Sequence, residues 1–248
     1  MSSTARIMGI IEAIVARQET GVSFAEIVAQ TGMPKATVHR LLKELSESGY
    51  LTISPEGKKY KGSLKLASIG AGVMASFDLR DHVHPQMIRM HQETGHICNM
   101  AVKHGDLGIY VDKVESRDFG IKLFSAVGKT FPLHCTALGK VLLAHSEPEE
   151  VDRILSSPLQ SFTPQTITDP GELKKELEAI RLKGYALDRE EITRGIVCVA
   201  APVQGHNVEL IGAISVTFPK YIDEERGIEA EIHVVKRYAA AISGAPAF

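Results

Sequence analysis

Apolar residues recur at helical spacing from the start of the chain. Ile7, Ile10, Ile11 and Ile14 fall on one stripe, which predicts an amphipathic helix over 4–17. Ser23 followed by Glu26 is a capping-box pairing, and Phe24, Ile27 and Val28 form the stripe of a short second helix that stops at Thr31-Gly32. Pro34 suits the first turn of a third helix, where its missing N–H costs nothing. In that helix Val38, Leu41, Leu42 and Leu45 share one face. Ala36, Arg40 and Lys43 point the other way, with Lys35 and His39 on the flank. Two short helices joined by a tight glycine-containing turn, the second basic on its outer side, describe a helix-turn-helix. Residues 50–54 and 58–61 are β-prone runs around Pro55-Glu56-Gly57, and a hairpin directly behind a recognition helix is a wing. The expected DNA contacts are Lys35, Ala36, Thr37, His39, Arg40 and Lys43 in or beside the major groove, with Lys58 and Lys59 on phosphate. The competing reading is a solvated helical bundle whose lysines only confer solubility.

Leu64, Leu66, Ile69, Val73, Met74 and Phe77 continue in a small-residue-rich helix that reads as a linker. Its apolar face suits a dimer contact, and burial against its own domain would explain it equally well. A further helix is expected over 78–95, with Pro85 in its N-terminal turn. Strands are expected at 97–102, 107–114 and 121–127. Thr136 can cap a helix through Lys140 and Leu143, and 148–156 forms another. Asp169-Pro170-Gly171-Glu172 opens a helix that Gly184 ends. Residues 196–203 and 209–218 are β-branched runs around Gln204-Gly205-His206-Asn207, and a final helix takes 222–242. Hairpins mixed with packed helices predict an α+β domain on an antiparallel sheet. The organisation is therefore a winged helix-turn-helix at 1–62, a linker helix at 63–80 and a larger domain at 81–248.

Composition narrows the class. The 248 residues are 44% hydrophobic and 23% charged with a formal net charge of −2, the balance of an ordinary globular protein. No apolar run approaches the roughly 20 residues that span a bilayer, so no membrane partner is expected. Three cysteines without framework spacing, and an N-terminus without an export pattern, point to a cytoplasmic setting. Residues 34–61 hold six basic against three acidic side chains, a modest concentration that alone is weak support for nucleic acid.

Candidate chemistry gathers in the second domain. Ala213, Ser215 and Thr217 share one face of a strand, and Ile214, Val216 and Phe218 the other. The two hydroxyls need partners, either a ligand or neighbouring backbone and buried water. The helix after Thr136 offers the free N–H groups of Ala137, Leu138 and Gly139 to an anion. Cys198, His134 and Asp188 are the residue types of a thiol hydrolase, but no local signature accompanies them, and a cysteine inside IVCVAAP reads as apolar filler. His82 and His84 on a helix would point about 200° apart. His96 and Cys98 share a strand face, but two ligands do not define a metal site. Neither a metal nor a cofactor is expected.

The stretches RIMGIIEAI, MPKATVHRLLKELSESGYL, GKTFPLHCTALGKVLLA, GYALDREEITRGIVCVAAPV and LIGAISVTFP resemble the IclR family of bacterial transcription regulators, in order and over essentially the whole chain. The resemblance implies a winged helix-turn-helix head, a linker helix and a GAF-like effector domain. It also implies homodimers or homotetramers on palindromic double-stranded DNA and no enzymatic activity. Its effector-contacting positions fall on Ala137, Leu138, Asp188, Cys198, Ser215 and Thr217, with Ile121 and Leu123 as apolar pocket wall. Where the family often has Gly and Ala this chain has Ala137 and Leu138, and Thr217 replaces a serine, so ligand identity does not transfer. The expected function is a metabolite-responsive regulator, a repressor of a catabolic operon sensing a small hydroxy- or keto-acid such as a sugar-derived keto acid. The alternatives are an activator responding to an aromatic acid and, more remotely, a Cys-dependent hydrolase.

Overall fold

A computed structural model of the chain describes residues 2–54, 58–75, 78–115, 125–205 and 209–243, which fall into two compact units, Met1–Ser76 and Phe77–Phe248. The N-terminal unit runs α1 (Ser3–Val15), β1 (Val22–Ser23), α2 (Phe24–Thr31), α3 (Lys35–Glu47), β2 (Leu51–Ile53), β3 (Lys59–Gly62) and α4 (Leu64–Ala75). The capping box closes as its spacing predicts: Ser23 Oγ accepts the Glu26 N–H, and the Glu26 carboxylate accepts the Ser23 N–H at 2.8 Å. Gly32 ends α2 at φ 63°, a left-handed conformation that a side chain would resist. Pro34 stands at the N-cap of α3, one place before the first helical turn expected for it. Ile10, Ile14, Ile27, Val38, Leu41, Leu42 and Leu45 bury into one core, which orients α3 with its polar side outward. β3 lies between β2 and β1, and β1, of two residues, is too short to show in the sequence pattern. The wing turn Pro55-Glu56-Gly57 lies outside the described residues.

The C-terminal unit runs α5 (Asp78–Thr94), β4 (Ile97–His104), β5 (Leu107–Val114), β6 (Thr130–Pro132), α6 (Ala137–Ala144), α7 (Pro148–Leu155), α8 (Pro170–Lys183), β7 (Ala186–Arg189), β8 (Ile196–Gln204), β9 (Leu210–Pro219), α9 (Lys220–Arg226) and α10 (Glu229–Ile242). The strands form one antiparallel sheet in the order β6-β5-β4-β9-β8-β7. Helices α5 and α10 pack on the sheet, and α6 packs across β7, β8, β9, β4 and β5.

Four expectations need correction. Pro85 sits inside α5, which begins at Asp78 and continues through it without a break. The single helix expected over 222–242 is two, because Gly227 at φ 73° interrupts it. Of the strand expected at 121–127, residues 121–124 lie outside the described residues, and 125–127 are not strand; the sheet edge is β6. The short strand β7 follows Gly184 directly and was not expected.

One irregularity positions the site. Met100 pairs with Asp112 and Ala101 pairs with Tyr110, so Val111 is bulged out of the ladder. In an unbroken strand Tyr110 and Asp112 would share a face. With the bulge they point to opposite sides, Asp112 to His84 on α5 at 2.6 Å and Tyr110 toward α6.

Candidate functional site

In the N-terminal unit Lys35, Ala36, His39, Arg40 and Lys43 are exposed on α3, and Thr37 is half-buried. Two ion pairs run along this face, Arg40 Nη1 to Glu44 Oε1 at 2.7 Å and Lys43 Nζ to Glu47 Oε1 at 3.7 Å. The His39 ring meets Phe24 edge-on at 6.3 Å between centroids. Lys58, at φ 50°, and Lys59 are exposed beside the wing turn.

In the C-terminal unit a cavity of about 420 Å3, its mouth included, opens between the sheet and the start of α6. Thr136 caps α6 by accepting the Gly139 N–H on Oγ1 at 2.9 Å. Gly139 is therefore not a free donor, contrary to expectation, whereas Ala137 and Leu138 keep N–H groups without a partner among the described residues. Gly139 must be glycine, because a Cβ there would collide with the Leu133 carbonyl. Ala137, Leu138, Asp188, Cys198, Ser215 and Thr217 all line this cavity. The sheet register accounts for the last four: Asp188 lies opposite Cys198, Cys198 opposite Thr217, and Ser215 two residues from Thr217 on the same face. Ile121 and Leu123 lie outside the described residues.

Comparison with known proteins turns this geometry into a family assignment. The model of the IclR helix-turn-helix domain matches residues 3–54, and that of the bacterial transcriptional regulator IclR C-terminal domain matches residues 71–244. The chain belongs to the IclR family. It is similar to the HTH-type transcriptional regulator XynR of Escherichia coli K12, 33% identical over 88% of this chain and 86% of that one. KdgR of the same organism is 32% identical over 98% and 93%. Among solved structures, IclR of Thermotoga maritima is 32% identical over 97% of this chain and 96% of that one, with TM-score 0.73. An IclR homologue complexed with 4-hydroxybenzoate, from Microbacterium hydrocarbonoxydans, shares the fold at TM-score 0.81 and 23% identity, over 98% of each chain. This IclR-family chain is thus a DNA-binding transcriptional regulator rather than an enzyme.

The electrostatics of the cavity fit that assignment. Burial drives the Asp188 carboxyl up to about 7, with the nearby Glu191 carboxylate adding to the shift. Burial also pushes the Cys198 thiol far up, and its Sγ lies 3.3 Å from Thr217 Oγ1. His134, the base of the hydrolase alternative, turns elsewhere: its Nε2 lies 2.9 Å from the Gln160 carbonyl, and burial lowers its pKa. Among the described residues no histidine lines the cavity, so the three hydrolase residue types do not converge. His96 Nε2 lies 3.3 Å from Glu231 Oε1, and Cys98 Sγ lies 3.6 Å from the His96 carbonyl. Behind the cavity Lys140 is buried, with Nζ 2.5 Å from Glu191 Oε1 and 3.3 Å from Glu176 Oε1.

Sequence reasoning missed several lining residues of this IclR-family pocket, notably Asn99 on β4, Tyr110 on β5 and Ser125. The Asn99 side-chain Nδ2 reaches Thr217 Oγ1 at 3.5 Å. Tyr110 is held by Phe131, whose ring centroid lies 4.4 Å away and which occupies the space where a side chain on Gly108 would be. Asn99 stands opposite Ser215 in the ladder, so the same alternation that singled out Ser215 could have found it once the β4–β9 pairing was known. Tyr110 was hidden by the bulge.

Proposed function

We propose that this regulator represses a catabolic operon and responds to a small hydroxy- or keto-acid, such as a sugar-derived keto acid. The observation that carries the reading is the pair of unpartnered N–H groups at Ala137 and Leu138, opening into a cavity with hydroxyls opposite. A carboxylate placed there meets two orphan donors and the positive end of α6. Ser215 and Thr217 donate further bonds. Asp188, protonated below about pH 7, donates to the ligand; once ionised, it accepts from a hydroxyl or hydrated carbonyl. Cys198 supplies a soft wall. An activator answering an aromatic acid is the second reading, favoured by the 4-hydroxybenzoate complex of one structural relative. The polar side chains Asn99, Asp188, Ser215 and Thr217 among its lining residues suit a hydroxylated aliphatic acid better.

The DNA half of the reading places α3 in the major groove and Lys58 and Lys59 on phosphate, with Arg40 reading guanine. Two-fold assembly through the α4 face, where Ile69 is 53% exposed, presents two such helices to a palindrome. Pairing of dimers into tetramers follows the family pattern. The test is calorimetry with an acid and its neutral amide, followed by operator binding with and without the acid. A large preference for the acid, together with loss of operator affinity, supports the reading. Equal affinity for acid and amide removes the carboxylate from it.

A further inference from the structure

The cavity has a second polar wall that the carboxylate reading leaves unused. Asn99 Oδ1 is buried without a hydrogen-bond partner among the described residues, although the Nδ2 of the same amide reaches Thr217. A buried acceptor left unpaired is uncommon in a folded protein, because its lost hydration is not replaced. Tyr110 lines the same cavity, with its ring buried against Phe131 and its hydroxyl bonded by no described residue. Both side chains reach the cavity through specific backbone geometry, Asn99 by its register with Ser215 and Tyr110 by the Val111 bulge.

We propose that Asn99 and Tyr110 form a hydroxyl-reading wall that selects, among small carboxylic acids, those bearing a hydroxyl or hydrated carbonyl beyond the carboxylate. The proposal rests on the carboxylate reading given above. Asn99 Oδ1 accepts from the ligand hydroxyl, and the Tyr110 hydroxyl donates to the same oxygen or accepts from a neighbouring one. Burial pushes the Tyr110 phenol up, so it keeps its proton. An acid lacking the hydroxyl closes the cavity over two polar groups and pairs with neither. Sites built to bond a hydroxyl reject the analogue without it far more strongly than apolar pockets reject a missing methylene.

The experiment is calorimetry on the 248-residue chain with two matched pairs, D-glycerate with propanoate and D-gluconate with hexanoate. In the wild type the more hydroxylated member of at least one pair should bind about tenfold tighter or better, the scale of one hydrogen bond. Tyr110→Phe, which keeps the packing on Phe131, and Asn99→Leu should each shrink that gap by about tenfold while sparing the less hydroxylated acid. If Asn99→Leu fails to fold, Tyr110→Phe alone decides. Equal affinity within both pairs in the wild type overturns the proposal and leaves the carboxylate reading standing. A gap unchanged in the variants overturns it, as does an equal loss for both members, which would make these residues packing only. If none of the four acids binds the wild type, the carboxylate reading itself fails, and this proposal with it.

Discussion

The Asp188 carboxylate accepts the backbone N–H of Glu191 at 2.7 Å, and through that bond the cavity beside α6 meets a buried ion pair. Glu191 in turn holds Lys140, which stands one turn into the helix whose first N–H groups open into the cavity. The wall that would sense a ligand and the charge pair behind it thus share one short segment, 188–191.

The first prediction is a pH dependence. Burial holds Asp188 near 7 instead of its ordinary 3.8, so the fold favours the protonated form. Relative to the unfolded chain, its contribution to stability is full below about pH 4, declines as pH rises toward 7, and is level above that. A ligand carboxylate in the same cavity adds a like charge and favours the proton further. Binding of an acid should therefore weaken above pH 7 by up to about tenfold per pH unit. Asp188→Asn should bind acids with a flat profile over that range. Calorimetry at pH 6, 7 and 8 decides, and a flat wild-type profile removes the proton from the mechanism.

A second expectation concerns Lys140, which is 1% exposed. Lys140→Met leaves Glu191 buried opposite nothing and should cost ~3–5 kcal/mol, whereas Lys140→Met with Glu191→Leu should recover most of that. Urea unfolding of the wild type, both single variants and the double variant measures the coupling. Equal stability of the single and double variants would show that the pair is not coupled.

On DNA, the Arg40 guanidinium must leave Glu44 to reach a base. The exposed i,i+4 pair contributes little to stability, so Arg40→Ala should melt like the wild type. It should nonetheless lose ~1–3 kcal/mol of specific affinity if Arg40 reads guanine. Lys59→Ala should weaken all DNA alike and lower the salt slope by about one unit. Fluorescence anisotropy on operator and scrambled duplexes separates the two patterns. Unchanged operator binding in Arg40→Ala with Lys43→Ala would remove α3 from the interface.

Assembly is open to the same kind of check. Ile69→Glu puts a charge on the α4 face and should shift sedimentation toward smaller species at micromolar concentration. A wild type that sediments as a monomer and binds a single half-site at full affinity contradicts the two-fold reading.

Local chemistry made much of this protein legible from sequence. Ser23 with Glu26, Gly32, Asp169 with Glu172, and Gly184 are punctuation read within a few residues, and each does what its spacing implies. The Ser215 and Thr217 face was legible because β9 keeps an unbroken register from Gly212 to Pro219. What stayed hidden depends on pairing across the chain. The partner of Lys140 lies 51 residues away, so the apolar helix around the lysine gave no sign of it. Gly139 looked like a free donor because the acceptor is the capping side chain itself. Tyr110 sits on the cavity side only because one residue drops out of register, and period-two reading of β5 would set it beside Asp112.

Gly108 does not line the cavity, yet Phe131 rests where its side chain would be, and Tyr110 rests on Phe131. Any larger residue there would push the ring aside and tilt the tyrosine behind it, reshaping the cavity from outside its lining and with it the preference for the proposed acid. A laboratory selection for variants that answer new inducers is therefore expected to return changes at position 108, where a search confined to ligand-facing positions would never look.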